Sequence, residues 1–123
     1  MTETDQSLPT ERNDEYVAGD TALVELTITN SNGNPKQLGG AEIVFALAEY
    51  RGADPLVTKT TDDGITIVDA ENGRVDIRVS GNDTATLGSA DGTNYYYEIE
   101  VTDDSGDVST VTTGEWTIYA DTA

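Results

Sequence analysis

Residues 93 to 101 read Thr-Asn-Tyr-Tyr-Tyr-Glu-Ile-Glu-Val and form the strongest strand pattern in the chain. The apolar side chains that share one face of this strand are Tyr95, Tyr97, Ile99 and Val101. Polar residues alternate with them, which is the period-two pattern of a half-buried β-strand. A turn and a second extended run up to Ala120 follow. A hairpin this apolar on one face needs a facing layer to cover it.

The rest of the chain supplies short alternating runs that can build this facing layer. Those runs are residues 22–29, 41–50, 56–61, 65–68, 74–79 and 108–120. Segments rich in Gly, Asp, Asn and Pro separate them and favour reversals of the chain. About seven short strands separated by turns predict an all-β fold, an immunoglobulin-like antiparallel β-sandwich.

Several local features carry more specific expectations. Gly114 interrupts the last run, which predicts a bulge that turns Trp116 and Ile118 toward the core. Lys59 lies in a run expected near a sheet edge, where a charge discourages pairing with other chains. Leu38 is expected to anchor the turn-rich segment that precedes it.

One short helical turn is predicted between residues 80 and 88. Asn82 or Asp83 is expected to cap it, and Leu87 is expected to close the end of the core. No other helix is predicted.

The length of 123 residues suits a single domain with a modest core. Residues 1–14 contain one large aliphatic side chain besides Met1, Leu8, and are predicted to form a flexible or partner-ordered N-terminal arm. Residues 15–121 are predicted to form the β-sandwich domain.

Charge is the unusual property of the composition. Asp and Glu number 24 against 6 Lys and Arg, which gives a formal net charge of -18 and a pI near 4.1. Such an excess opposes approach to phosphates and anionic lipids, so nucleic acid and membrane are not expected partners. The acidic residues are spread along the chain, which favours adaptation to molar salt over an ordinary acidic protein.

The residue types that are missing limit the possible chemistry. The chain contains no Cys and no His, so Ser-His-Asp, Cys-His and imidazole metal sites cannot form. Carboxylates remain, but a small sandwich with short loops offers little room for a catalytic cleft. No enzymatic activity, catalytic residue or cofactor is therefore predicted. No apolar run is long enough for a membrane helix, and no signal-peptide pattern is visible.

Acidic turns supply the candidate cation ligands, namely Asp103, Asp104 and Asp107, with a second pair at Asp62 and Asp63. Carboxylate oxygens suit a hard cation such as calcium. Asp, Ser and Gly are also the residues that a hairpin turn prefers, and the spacing is not that of an EF-hand loop. The turn interpretation is favoured, with structural cations as the alternative.

A family resemblance emerges from the order of several short motifs. They are Gly19-Asp20-Thr21, Asn32-Gly-Asn-Pro35 before Leu38-Gly-Gly-Ala41, a strand with Phe45, Gly64-Ile-Thr-Ile67 with Asn72-Gly73-Arg-Val, Asp83-Thr84 with Leu87, and Tyr95-Tyr-Tyr-Glu-Ile with Gly114. Over residues 15–120 this order resembles the β-sandwich domain of tailed-virus structural proteins, similar to the N-terminal domain of phage baseplate upper proteins and related tail or fibre-attachment modules.

The resemblance implies a non-enzymatic virion protein, with no catalytic residues to carry over. Its implied partners are copies of itself, usually in a homotrimer, and other virion proteins on a tail, baseplate or capsid surface. Such a protein is made in the host cytoplasm and is located in the virion. Together with the acidic composition, this predicts a tailed virus that infects a halophilic archaeon.

Two other classes remain open. A carbohydrate-binding or adhesive module would recognise a host surface glycan or receptor and would need exposed aromatic residues, for which Tyr96 and Trp116 are the candidates. The other is an immunoglobulin-like domain of a haloarchaeal cell-surface protein.

Overall fold

The computed structural model describes residues 10–30 and 32–122. Within these residues the chain forms nine strands and one short helix. In chain order they are β1 Thr10–Glu11, β2 Asp14–Val17, β3 Ala22–Thr27, β4 Glu42–Ala48, β5 Pro55–Thr61, β6 Gly64–Asp69, β7 Arg74–Val79, α1 Gly81–Thr84, β8 Thr93–Thr102 and β9 Val108–Tyr119.

The strands pair in an order that defines two layers. In the first layer β9, β8, β4 and β5 are antiparallel neighbours, and β1 and β2 lie parallel to β9. In the second layer β7 pairs with β3 on one side and β6 on the other, both antiparallel. A two-residue parallel contact between β5 and β6 joins the layers at a corner. This pairing matches the B–E–D and C–F–G strand sets of the immunoglobulin fold, so the chain is an all-β, immunoglobulin-like sandwich.

The core lies between the two layers and is built by the alternation read from the sequence. Its largest fully buried side chains are Trp116, Tyr97, Phe45, Leu38, Ile43, Leu47, Ile65, Ile77, Ile99 and Ile118. Trp116 packs against three other rings, with centroid distances of 4.4 Å to Tyr16, 5.2 Å to Phe45 and 6.0 Å to Tyr97. Each such ring pair adds about 0.5–1.5 kcal/mol beyond the burial of area.

Two short N-terminal strands begin within the predicted arm. From Thr10 to Val17 the backbone lies along β9, so the part of the expected arm that the structure describes belongs to the sheet. The polar side chains of this stretch hid the strand, because its pairing depends on backbone hydrogen bonds and only Tyr16 packs against the core. Residues 1–9 of the predicted arm lie outside the described residues.

Gly114 has a different role from the predicted one. Strand β9 continues through it without a break, and Gly114 pairs with Tyr97. The register shift of this hairpin falls instead beside Val111, between the pairs Ile99–Thr112 and Glu100–Thr110. A Cβ on residue 114 would overlap the carbonyl oxygen of Arg12, so glycine is needed where Arg12, between β1 and β2, lies against β9. We call this close approach the crossing. Trp116 and Ile118 do face the core, as predicted.

The helical turn forms where it was predicted, but its cap is Ser80. The Asp83 carboxylate accepts hydrogen bonds from the Ser80 N–H at 2.9 Å and from its hydroxyl at 3.0 Å. This pairing of the residue before the helix with the third helical residue is a capping box. Leu87 packs against the core and Leu38 is fully buried, as expected. Within the described ranges no helix is long and apolar enough to span a membrane.

The crossing at Gly114 generates a stability prediction. We expect Gly114→Ala to lower the free energy of unfolding by about 3 kcal/mol, because the new methyl group overlaps the Arg12 carbonyl and the first strand must shift. Urea unfolding followed by the fluorescence of Trp116, the single tryptophan, measures the change.

Gly106→Ala is the matched control. Gly106 has φ +94° and open space around its Cα, so alanine there carries only backbone strain of about 1 kcal/mol. An equal loss of stability in the two variants would show that the crossing at Gly114 is not tight.

Candidate functional site

The acidic turn between β8 and β9 is organised by the carboxylate of Asp103. One oxygen, Oδ1, accepts hydrogen bonds from the backbone N–H of Ser105 at 3.1 Å, the N–H of Asp107 at 3.0 Å and the Ser105 hydroxyl. The hydrogen bond from the Ser105 hydroxyl is the main cause that lowers the pKa of Asp103. These contacts are those of a side chain that shapes its own turn.

The other candidate ligands do not converge on Asp103. Asp104 packs against Gly40, where its Cβ would lie 2.9 Å from an added side chain. Asp62 and Asp63 lie at the corner between β5 and β6, and Asp62 has a φ of +72°. No group of three or more acidic, His or Cys side chains that could hold a metal ion occurs among residues 10–30 and 32–122. Among the candidate ligands, Asp103 is the residue whose described side-chain contacts shape its turn.

Lys59 joins the two layers and does not protect a free edge. Its Nζ lies 2.8 Å from Oδ2 of Asp83, and both side chains are largely buried. The side chain of Lys59 also covers Gly64 at the start of β6. The hydrogen bond from Lys59 is the main cause that holds the pKa of Asp83 below its ordinary value of 3.8. The expectation for Lys59 was wrong because it shares the inward face of β5 with Val57.

Two tyrosines of β8 use their hydroxyl groups inside the fold. Tyr95 Oη accepts a hydrogen bond from the Gly88 N–H at 2.8 Å. A tyrosine near the start of strand F that bonds to the backbone just upstream is a hallmark of immunoglobulin domains. Tyr97 donates its hydroxyl to the carbonyl of Arg12 at 2.7 Å, and burial raises its pKa. A buried Tyr hydroxyl needs such a partner.

The remaining aromatic candidates differ in exposure. Tyr96 is half-buried on the outer side of β8, with the Arg51 guanidinium 4.8 Å above its ring centre. Burial and the nearby Glu98 carboxylate raise the pKa of Tyr96. Trp116 is only 1% exposed, so it cannot present a stacking surface to a sugar. A substitution at Trp116 would therefore test the fold and not a binding site.

Strands β1 and β2 pair with β9 along its length, an arrangement that the sequence did not predict. We call these three paired strands the terminal clamp. Besides the Tyr97 contact, Asn13 Oδ1 accepts a hydrogen bond from the Glu115 N–H at 2.8 Å. The Arg12 guanidinium reaches the second layer and donates to the Glu25 carbonyl at 3.1 Å. The Arg12 N–H donates to the Thr113 carbonyl at 2.9 Å. The sequence signal for this clamp was the hydroxyl group of Tyr97 on the buried face of β8, which needs a hydrogen-bond partner. That signal does not show that the partner is Arg12.

The ends of this clamp lie at opposite ends of the sandwich. Thr10 is in register with Thr112, and Val17 is in register with Tyr119. Because β1 and β2 run parallel to β9, Thr10 lies beside Thr112 at one end of the pairing, and Tyr119 lies beside Val17 at the other end. Seven residue steps of about 3.3 Å place these points about 23 Å apart.

The outer face of the first layer is mainly acidic, and the Arg51 guanidinium over Tyr96 is its basic group. Its outward-facing charged residues on strands are Glu11, Glu15, Glu42, Glu98, Glu100 and Glu115. The strands of this layer point no Lys or Arg outward, because Lys59 lies on the inner side of β5. We call this surface the acidic face. Its glutamates keep it hydrated.

The outer face of β3, β7 and β6 has a different composition. Its charged residues are Glu25, Asp69, Asp76, Arg74 and Arg78, because Asp69 is in register with Arg74 and shares its face. Leu23 and Val68 also point outward here and are 56% and 53% exposed. We call this surface the balanced face, because the charges of its three acidic and two basic side chains nearly cancel.

Comparisons with known proteins leave the function open. No family model matches the chain, and no curated protein matches it. Among solved structures, CopC from Methylosinus trichosporium OB3b is 14% identical with a TM-score of 0.48, covering 99% of this chain and 94% of that one. Murine CRIg is 11% identical with a TM-score of 0.37, covering 97% of this chain and 95% of that one. Neither bears on the tailed-virus resemblance, which stays a prediction.

The Lys59–Asp83 pair generates a prediction about pH. We expect Asp83→Asn to lower the free energy of unfolding at pH 7 by about 1–2 kcal/mol, because it removes the ion pair and weakens the helix cap. The folded-state pKa of Asp83 lies below 3.8, so the stabilisation is present above that value and is lost as pH falls through the folded pKa.

Thermal unfolding of both proteins between pH 7 and pH 2.5 measures this difference. The difference in melting temperature between wild type and Asp83→Asn should become smaller below pH 3.8. Asp91→Asn, at an exposed turn residue, is the control and should track the wild type. A gap that stays constant to pH 2.5 would contradict the assigned ion pair.

Proposed function

We propose that this chain is a non-enzymatic structural protein of a tailed virus that infects a halophilic archaeon. It would form an oligomeric attachment on the tail, the baseplate or the capsid surface. In this role the sandwich acts as a rigid spacer between neighbouring virion proteins. Its partners are copies of itself, as a homotrimer by the family resemblance, and other virion proteins.

The parallel clamp of β1 and β2 on β9 is the observation that carries a mechanical role. A force that pulls the two ends of the described chain apart slides these strands past each other along their length. The six registered residue pairs of the clamp then bear the load together. Hydrogen bonds loaded in shear resist more than bonds opened one at a time. The clamp therefore suits a module that transmits tension.

The contacts of the polar groups support a role without catalysis. Asp103 shapes a turn, Asp83 caps a helix and binds Lys59, and Tyr95 and Tyr97 bond to the backbone. These four polar groups are thus engaged in holding the fold. This use of polar residues is typical of a building block.

The acidic face supports the halophilic setting. Six glutamates on one face repel each other strongly in dilute buffer. In molar salt the Debye length falls to about 3 Å, so this repulsion is screened. Glutamates on the surface also hold water where water is scarce.

An adhesive role is the second candidate, and one observation favours it. Tyr50 is 66% exposed and precedes Arg51, whose guanidinium covers Tyr96. An exposed ring beside an arginine can contact a sugar ring. Glycan-array binding that is lost in Tyr50→Ser, but kept in Tyr119→Ser, would support this role over the structural one.

Purified virus particles test the proposed function. If the protein is a virion component, mass spectrometry finds it in particles purified by density gradient, and antibody labelling places it on the tail, baseplate or capsid surface. Light scattering of the isolated protein in 2 M KCl then gives an oligomeric mass. A protein that is absent from particles would contradict the proposal.

The salt requirement has a separate readout. The melting temperature should rise between 0.1 M and 2 M KCl, because salt screens the acidic face. A melting temperature that does not change would remove the halophilic part of the proposal and leave the structural part standing.

The clamp generates a mechanical prediction with an internal control. We expect Tyr97→Phe and Tyr95→Phe to lose similar equilibrium stability, about 1–2 kcal/mol each, because each leaves one backbone group without its partner. Only Tyr97 bonds to the terminal clamp. When the chain is pulled from its ends by single-molecule force spectroscopy, Tyr97→Phe should unfold at a clearly lower force than Tyr95→Phe. Equal unfolding forces would show that the clamp does not bear the load.

A further inference from the structure

The balanced face is unusual in a chain of this charge. The formal net charge of the chain is -18, whereas the charged side chains of this face, three acidic and two basic, sum to -1. Arg74 and Arg78 are two of only six basic residues in the whole sequence. Both are exposed, and neither makes a salt bridge within the part of the chain that the structure describes.

We propose that the balanced face binds the balanced face of a second copy of this chain through a two-fold symmetric contact. This inference rests on the proposed structural function and names the surface through which copies join. A two-fold contact uses the same patch on both copies, so the patch must be complementary to itself.

The order of charges along β7 meets that requirement. Arg74, Asp76 and Arg78 alternate in sign on one face, with about 6.6 Å between successive side chains. A two-fold axis that runs across the strands, midway between Asp76 and Arg78, places Arg78 of each copy over Asp76 of the other. The same pair therefore forms twice.

A repulsion within the single chain favours the same arrangement. Glu25 on β3 lies directly opposite Asp76 on β7. Two like charges in this position repel and destabilise the sheet. A guanidinium supplied by a second copy would offset this repulsion, and among the described residues no basic side chain forms an ion pair with Glu25 or Asp76.

The alternative surface opposes self-association. Two acidic faces would bring six glutamates of each copy together, which is costly even with partial screening. On the balanced face Leu23 and Val68 supply apolar area instead. Copies of this chain therefore approach each other best through the balanced face.

The size of the face sets the expected strength of the contact. Three strands spaced about 4.8 Å apart and about 20 Å long cover roughly 300 Å² per copy. Stable complexes bury about 800 Å² per partner, so this contact is weak and forms at high local concentration, as on an assembled particle. A homotrimer needs two different surfaces in head-to-tail contact, so the balanced face would join such assemblies in pairs.

Sedimentation equilibrium of the full chain in 2 M KCl, from 10 µM to 1 mM, tests the proposal. We expect a reversible doubling of the smallest species. Arg78→Glu should raise the dissociation constant of the pair at least tenfold, because it places the new glutamate of each copy opposite the Asp76 carboxylate of the other. The double variant Asp76→Arg with Arg78→Glu restores the reciprocal pair and should return the dissociation constant to within about threefold of the wild type.

Arg51→Glu is the matched control, because it changes the net charge equally in an exposed turn away from the balanced face. The dissociation constant of this variant should stay within twofold of the wild-type value. Circular dichroism checks that each variant is folded. No doubling in the wild type, an equal effect of Arg51→Glu, or no rescue by the double variant would each overturn the proposal.

The outcomes separate this inference from the proposed function. If the protein is present in particles but Arg78→Glu leaves the doubling unchanged, the surface assignment fails and the structural function stands. If doubling through the balanced face occurs but the protein is absent from particles, the virion role fails and the self-association surface stands.

Discussion

The close approach of Arg12 to Gly114, at the crossing between β1 and β2, is the contact on which the rest of this sandwich depends. There the backbone of Arg12 passes so close to β9 that no side chain fits at residue 114. The Arg12 carbonyl receives the Tyr97 hydroxyl from the core, and its guanidinium reaches the Glu25 carbonyl on the facing layer. One residue thus ties the edge of the first layer to the core and to the second layer.

Around that crossing the molecule uses its few aromatic and polar groups to hold a thin core. Trp116 fills the space between the layers against three other rings. Its Nε1–H finds no partner within the described residues, which is a cost that the packing offsets. At one side of the core the Lys59–Asp83 pair links β5 to the helical turn. Apolar burial and a small number of directed contacts therefore share the work of stabilising the fold.

The two outer faces of the sandwich differ in charge. The acidic face repels other acidic surfaces, whereas the balanced face places arginines beside carboxylates. The ends of the described chain lie at opposite ends of the terminal clamp, so a pulling force acts along the strands. The balanced face is the face suited to contact with another copy of the chain. This arrangement, and no single residue, is what the proposed structural function rests on.

The sequence alone determined the layers and the core. Side-chain alternation in residues 93–101 and 74–79 identified the strands and their buried faces, because each pattern repeats every two residues. It also indicated the turn role of Asp103. The tertiary structure decided the rest: the strand at Thr10 to Val17, the reason for Gly114, and the inward direction of Lys59. These depend on contacts between residues far apart in the chain, which local periodicity does not encode.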